Sequence, residues 1–197
     1  MTAHYTKRLK TEDVGVVLVD YLDGFLPGIR SIDARVFRKN AEAFARISAI
    51  FRLPTIMLGE EGGFRGKFFA EVIAAAPHAQ RVERHTPSAW DEPNFRAAVE
   101  KIGRKRWIVG GISLDICTTL LTLDMLNAGH EVFVVVDACG SDSQLVEAAA
   151  MSRLTQAGAT LVSWGTIASE LMGDWQTPEG PEVGKLYAEL SAWGNRV

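Results

Sequence analysis

Short apolar runs rich in β-branched residues recur along this 197-residue chain, each followed by a stretch with helical spacing. Residues 15–19 read Gly-Val-Val-Leu-Val, 55–58 follow Pro54 as Thr-Ile-Met-Leu, 107–109 read Trp-Ile-Val, and 131–136 are almost purely β-branched. Runs that are apolar at successive positions, rather than alternate ones, mark strands buried on both faces. A weak third strand is expected around Val82 and a sixth at 160–163. Between them, Ser31 or Asp33 caps a helix to about Phe51, with Val36, Ala41, Phe44, Ile47 and Ile50 on one side. Further helices are expected at 67–75, at 91–103 with a glycine stop, from Cys117 to about Asn127, and from the Ser141–Ser143 caps to Gln156. The tail from Thr166 reads as a helix, a turn at Trp175, Pro178 and Pro181, and a final helix to Val197.

Strands that alternate with helices pair in parallel through right-handed crossovers. The expected architecture is a three-layer, doubly wound α/β fold: a mostly parallel six-stranded sheet with helices on both faces. Length fits one domain over 1–197, with 174–197 as a tail suited to contacts between subunits.

Composition narrows the function. A net charge of −3 does not suggest a nucleic-acid surface, and Arg104-Lys105-Arg106 reads as a solvated loop before a strand. No apolar run approaches the ~18 residues of a membrane span, and the polar N-terminus holds no apolar signal region. Two cysteines do not make a disulfide framework and fit a reducing, cytoplasmic setting.

In a doubly wound sheet the site lies beyond the carboxyl ends of the strands. Three reactive groups are expected there: Asp20 after strand one, Arg84 after strand three and Cys117 after strand four. A dinucleotide site is excluded, because no Gly-x-Gly-x-x-Gly opens the first helix and Asp20 and Asp23 put negative charge there. Cys117 follows the Gly110-Gly111 turn at a helix start, whose free N–H groups and dipole favour a thiolate. Its alternative is a small buried hydrophobe, as many free cysteines are.

Asp20 could act as general base toward Cys117, or simply cap a loop or pair with Arg84. Arg84 cannot shuttle protons, but could hold Asp20 and stabilise a thiolate. The N–H groups of Ser113 and Cys117 could form an oxyanion hole for attack on a carbonyl carbon, leading through a thioester to hydrolysis. Phe25, Phe64, Trp90 and His85 lie on site-side loops and could wall a substrate pocket, with a subunit contact or solvent exposure as the alternatives. His4, His78 and His130 have no partners at metal-ligand spacing, and Cys139 reads as a packed small residue.

These segments resemble the isochorismatase-like cysteine hydrolase superfamily. It shows a strand ending in Asp, a basic residue in Lys-x-x-x-Ser-Ala-aromatic, and Gly-x-x-Thr-x-x-Cys. Here these stand as Val17-Leu18-Val19-Asp20, Arg84-His85-Thr86-Pro87-Ser88-Ala89-Trp90 and Gly111 to Cys117, and Val134-Val135-Val136-Asp137-Ala138 matches downstream. Ala89-Trp90-Asp91, Phe95, Arg153, Trp164 and Asp174-Trp175 are similar to the YcaC-like subgroup, in which arginine replaces the usual lysine.

The resemblance implies an Asp20/Arg84/Cys117 triad, a cis peptide at Ile112–Ser113, no cofactor, and hydrolysis of a C–N bond in a small molecule. It also implies a homo-oligomer. Glu60-Glu61-Gly62-Gly63 lacks the Asp-x-His of metal-binding relatives, so no metal is expected. Leu22 and Leu114 depart from the family's Gln and Thr. Those departures favour a second reading, a catalytically idle protein that binds a small ligand or serves as an assembly subunit; a third, a redox-sensing thiol, requires Cys139 to reach Cys117.

Overall fold

A computed structural model describes residues 7–194. His4, the start of the N-terminal segment and the last residues of the tail lie outside them.

Six strands form one sheet: β1 (Val14–Val19), β2 (Thr55–Leu58), β3 (Gln80–Val82), β4 (Arg106–Gly111), β5 (Glu131–Val135) and β6 (Thr160–Val162). Their order is β3-β2-β1-β4-β5-β6, and every pairing is parallel. Among the described residues, seven α-helices accompany them: α1 (Ala34–Ile50), α2 (Ala70–Ala75), α3 (Pro93–Ile102), α4 (Thr119–Asn127), α5 (Gln144–Ala157), α6 (Trp164–Met172) and α7 (Gly180–Leu190).

Strand alternation divides the core in two. Val14, Val16 and Leu18 of β1 face the side covered by α1, α2, α6 and α7, joined by Phe37, Phe44, Phe69, Val183 and Leu186. Val17 and Val19 face the side of α3, α4 and α5, joined by Trp107, Phe95, Leu121 and Leu154. The period-2 geometry of a strand produces this split, and burial on both faces explains why every β1 residue is apolar or glycine.

Buried polar groups fasten the layers. Asn40 on α1 donates to the Asp137 carbonyl (2.8 Å) and accepts from the Trp164 indole N–H (3.1 Å), linking α1 to the end of β5 and to α6. The Tyr21 hydroxyl donates to the Ala138 carbonyl at 2.7 Å, tying the ends of β1 and β5 together. Each bond satisfies a group that would be costly to bury alone.

Several boundaries differ from the sequence reading. Asp33, not Ser31, caps α1, its carboxylate accepting from the N–H groups of Arg35 (2.9 Å) and Val36 (3.1 Å). α2 begins at Ala70 rather than Lys67, because the Phe69 N–H is drawn to the Tyr21 carbonyl at 2.8 Å. α6 begins at Trp164, capped by Ser163. The last helix ends at Leu190, so the tail is α7 packed on α1 and α6 followed by a short turn.

The sheet reverses direction of winding between β1 and β4, and that switch point shapes the site. Gly111 adopts φ +155° there, and a Cβ on it would lie 1.9 Å from the Val19 carbonyl oxygen. Gly111→Ala is therefore expected to lower stability by about 3 kcal/mol, the upper end for forcing atoms into packed structure. Urea denaturation measures this; an unchanged midpoint would contradict the close approach of β4 to β1.

Candidate active site

Asp20 lies one residue past β1, in the left-handed region at φ +48°, which aspartate tolerates better than most side chains. Its N–H donates to the Leu58 carbonyl at 3.0 Å, and the residue is 1% exposed. Arg84 lies two residues past β3. Its loop is held in shape by Glu92, whose carboxylate accepts from the N–H groups of His85 (2.6 Å) and Thr86 (3.0 Å). Ser88 anchors the same loop to α4 by donating to Asp124 at 2.6 Å.

The strand order carries these ends to one place. β1 is flanked by β2 and β4, so Asp20 and Cys117 meet where the crossovers diverge, and Arg84 reaches in from β3. Its guanidinium is a bridge. Nε donates to Asp20 Oδ1 at 3.2 Å, Nη2 donates to Asp20 Oδ2, and Nη2 also reaches Cys117 Sγ at 2.8 Å. Nη1 is occupied by the Thr86 carbonyl at 2.5 Å. The planar fork makes this two-point hold on a carboxylate possible; a lysine could not reproduce it.

Cys117 does not open an α-helix, as the sequence suggested. It sits inside a π-helical turn, Leu114–Thr118, closed by the Thr118 N–H donating to the Ser113 carbonyl at 3.0 Å, and α4 follows. The Leu114 N–H, free of an intrahelical partner at the first position of the turn, donates to the Gly140 carbonyl (2.9 Å). The Ile112–Ser113 peptide is cis, and the Ser113 N–H is directed at the Cys117 sulfur.

Electrostatics here differ from those of a free thiolate. Burial raises the Cys117 pKa; the Arg84 charge opposes the rise, Asp20 adds to it, and the Ser113 N–H lowers it without reversing the direction. Burial likewise raises Asp20 against the opposing hydrogen bonds and charge of Arg84. For Arg84, burial works against the charge, but the hydrogen bond and charge of Asp20, with help from Cys117, more than offset it and raise its pKa. The expected thiolate preference from a helix end is overridden by desolvation, which sets the direction of the shift.

Two cavities meet at Cys117. One, of 250 Å³, is lined by Asp20, Arg84, Glu60, Arg65, His85 and Phe64; the other, of 290 Å³, by Ile29, Ile112, Ser113, Asp115 and Asp142. Phe25, Ile116 and Cys117 line both. Phe25 and Phe64 stack edge to face at 5.9 Å, because Gly24 lets the turn at Asp23–Gly28 press against the backbone of Phe64 and Arg65.

Trp90 lines neither of these cavities, but a separate one with Val99 and His130. It packs edge to face on Phe95 (6.1 Å) and His130 (5.7 Å), turned away because Ser88 and Glu92 pin the chain on either side of it. Leu22 and Leu114 are fully buried in the two cores and line neither cavity.

The sequence reading missed Ile29, Asp115, Ile116, Asp142, Glu60 and Arg65. Asp115 and Ile116 carried a signal in their adjacency to Cys117, and Glu60 and Arg65 in their place on the glycine-rich loop 59–66, which is expected to border the pocket. Among the described residues, no group of three or more His, Cys, Asp or Glu is placed to hold a metal ion. Nor is any helix long and apolar enough to cross a membrane.

The Isochorismatase domain profile matches residues 14–166. The Escherichia coli (strain K12) protein described as probable hydrolase YcaC is 35% identical over 178 residues, covering 89% of this chain and 85% of that one. The structure of YcaC from Pseudomonas aeruginosa with hexane-2,5-diol and covalent acrylamide superposes with a TM-score of 0.88 at 36% identity, covering 93% of this chain and 91% of that one. The Escherichia coli YcaC structure, described as an octameric hydrolase of unknown specificity, gives 0.87 at 34% identity, with 92% and 89% covered. This chain belongs to the isochorismatase-like hydrolase family. Within it, the similarity is to the YcaC proteins.

Alkylation of Cys117 by iodoacetamide is expected to accelerate with rising pH, with a midpoint above the ordinary thiol value of 9.0. Arg84→Met, which removes the opposing positive charge, should raise that midpoint further and slow alkylation at neutral pH by about tenfold. A midpoint below the ordinary value, or no response to Arg84→Met, would contradict the electrostatics above.

Proposed function

We propose that the protein is a cysteine hydrolase that opens an amide or ureido-type C–N bond of a small molecule through a thioester. The observation that carries this is the Arg84 guanidinium gripping Asp20 while reaching Cys117 Sγ at 2.8 Å, beside open cavities. A structural ion pair would not need a sulfur at its edge or space in front of it.

As substrate binds, Asp20 takes the Cys117 proton and the sulfur attacks the carbonyl carbon. A raised thiol pKa suits this: the proton leaves only as the bond forms, and the general base is already in place. The N–H groups of Ser113 and Cys117 receive the developing oxyanion. When the intermediate collapses, the C–N bond breaks and Asp20 returns the proton to the departing nitrogen. Water then attacks the thioester, giving its proton to Asp20. The C–S bond breaks, the carboxylic acid leaves and the thiol is restored. Arg84 stays protonated throughout and holds the carboxylate in position.

Acrylamide is an electrophile that thiols attack, and a covalent acrylamide in the Pseudomonas aeruginosa relative supports a nucleophilic cysteine here. The idle reading loses its motive, because Leu22 and Leu114 are core residues away from the cavities. Burial pushes the Cys139 thiol up to about 12, and its sulfur already accepts from the Gly111 N–H (3.2 Å), which disfavours a redox partnership with Cys117.

The octameric Escherichia coli relative supports self-assembly of this chain as one domain. Exposed Leu145, Trp175 and Trp193 are apolar surface suited to such contacts, with the 174–197 tail contributing. A reducing, cytoplasmic setting accords with two free cysteines.

Ammonia release from small amides and ureido compounds tests the chemistry. Cys117→Ala and Asp20→Asn should each reduce kcat/KM by at least about a thousandfold, the scale of losing a nucleophile or its base. Activity should rise with pH through an acid limb above the ordinary carboxylate value of 3.8, because Asp20 works only when ionised and burial raises its pKa. Undiminished turnover in Cys117→Ala would refute the proposal. In light scattering, the purified protein should have a mass several times the 21.5 kDa of one chain; a monomer would rule out the assembly.

A further inference from the structure

The two cavities at Cys117 differ in character, and the chemistry assigns each a half of the substrate. Resting on the cysteine-hydrolase reading, we infer that the protein selects amides whose acyl group is small, apolar and free of negative charge, and that the departing nitrogen leaves through the polar cavity.

The direction follows from where the groups lie. The nitrogen must collect its proton from Asp20, and Asp20 lines the 250 Å³ cavity with Arg84, Glu60, Arg65 and His85. The oxyanion donor Ser113 lines the other cavity, of 290 Å³. With the carbonyl carbon on Cys117 Sγ, its oxygen toward Ser113 and its nitrogen toward Asp20, the remaining substituent enters the 290 Å³ cavity. Phe25, Ile29, Ile112 and Ile116 present hydrocarbon there. Both cavities fall below the ~300 Å³ that marks the low end for drug-sized ligands, so only a short chain or one ring fits.

Charge sharpens the choice. Asp115 and Asp142 line the acyl cavity, and neither has an ion-pair partner among the described residues. A carboxylate on the acyl chain would be desolvated against isoleucine and would meet two like charges. The positive groups that could receive it, Arg65 and Arg84, belong to the other cavity and already face Glu60 (3.0 Å) and Asp20. Acid-bearing substrates, ureido acids among them, are therefore disfavoured, although the general chemistry admits them.

The test compares kcat/KM for ammonia release from butyramide, isovaleramide and benzamide with that from succinamate. The neutral amides should be favoured over succinamate by at least about a hundredfold, given an unpaired carboxylate in an apolar site. Asp142→Asn, at an exposed position, should narrow the ratio by about fivefold, the effect of removing one like charge at contact range in water. Succinamate turned over as fast as butyramide, or a ratio indifferent to Asp142→Asn, overturns the assignment while leaving the hydrolase intact. If none of the amides is hydrolysed and mass spectrometry detects no acyl group on Cys117, the hydrolase reading falls and this inference falls with it.

Discussion

A guanidinium held between a carboxylate and a thiol is the interaction on which the site turns. Arg84 makes two contacts with Asp20 and one with Cys117, and its remaining nitrogen is tied to the Thr86 carbonyl. An unpaired carboxylate this deeply buried would be expensive, and so would an unpaired guanidinium. Together they are tolerable, and the pair organises its surroundings. Glu92 and Ser88 shape the loop that delivers Arg84, and the φ +48° turn at Asp20 aims the carboxylate inward. The parallel pairing of β1 with β4 brings the sulfur to the other side.

Burial and charge act in opposition within this cluster. Desolvation favours neutral Asp20 and neutral Cys117, while Arg84 favours both charged forms. Burial outweighs the arginine's charge, so the balance shifts both groups upward. A thiol whose pKa is raised reacts slowly with oxidants and alkylating agents, since those reactions require the thiolate. In the mechanism proposed above, it becomes reactive when a bound carbonyl gives the electron pair somewhere to go.

Much of the fold was visible in local pattern. The β-branched runs announced buried parallel strands, and their alternation with helical segments announced a doubly wound sheet, because burial on both faces leaves no polar positions along β1. Placing Asp20, Arg84 and Cys117 beyond strand ends followed from the same logic. The differences are of one kind. Trp90 stands on a site-side loop by sequence, and two side-chain anchors beside it turn it toward His130 and away from the cavities at Cys117. By spacing Cys117 opens an α-helix, but it sits in a π-helical turn closed by the Thr118 N–H on the Ser113 carbonyl, with the Leu114 N–H taken by Gly140. Its titration seemed set by a helix end, yet burial among other segments dominates.

The amino-acid sequence by itself determined the strands, their parallel sense, and the three reactive residue types at their ends. These depend on periodicity and on neighbours a few positions away, which a linear chain displays. Only the tertiary structure decided the order β3-β2-β1-β4-β5-β6, the bridging of acid and sulfur by one arginine, and the two unlike cavities beside them. Ile29, Glu60, Asp115 and Asp142 come from separate connections, and nothing local to any of them records the others. Their meeting is a consequence of how the loops fold over the sheet's carboxyl edge, where distances between segments, not spacing along the chain, set both the electrostatics and the shape available to a ligand.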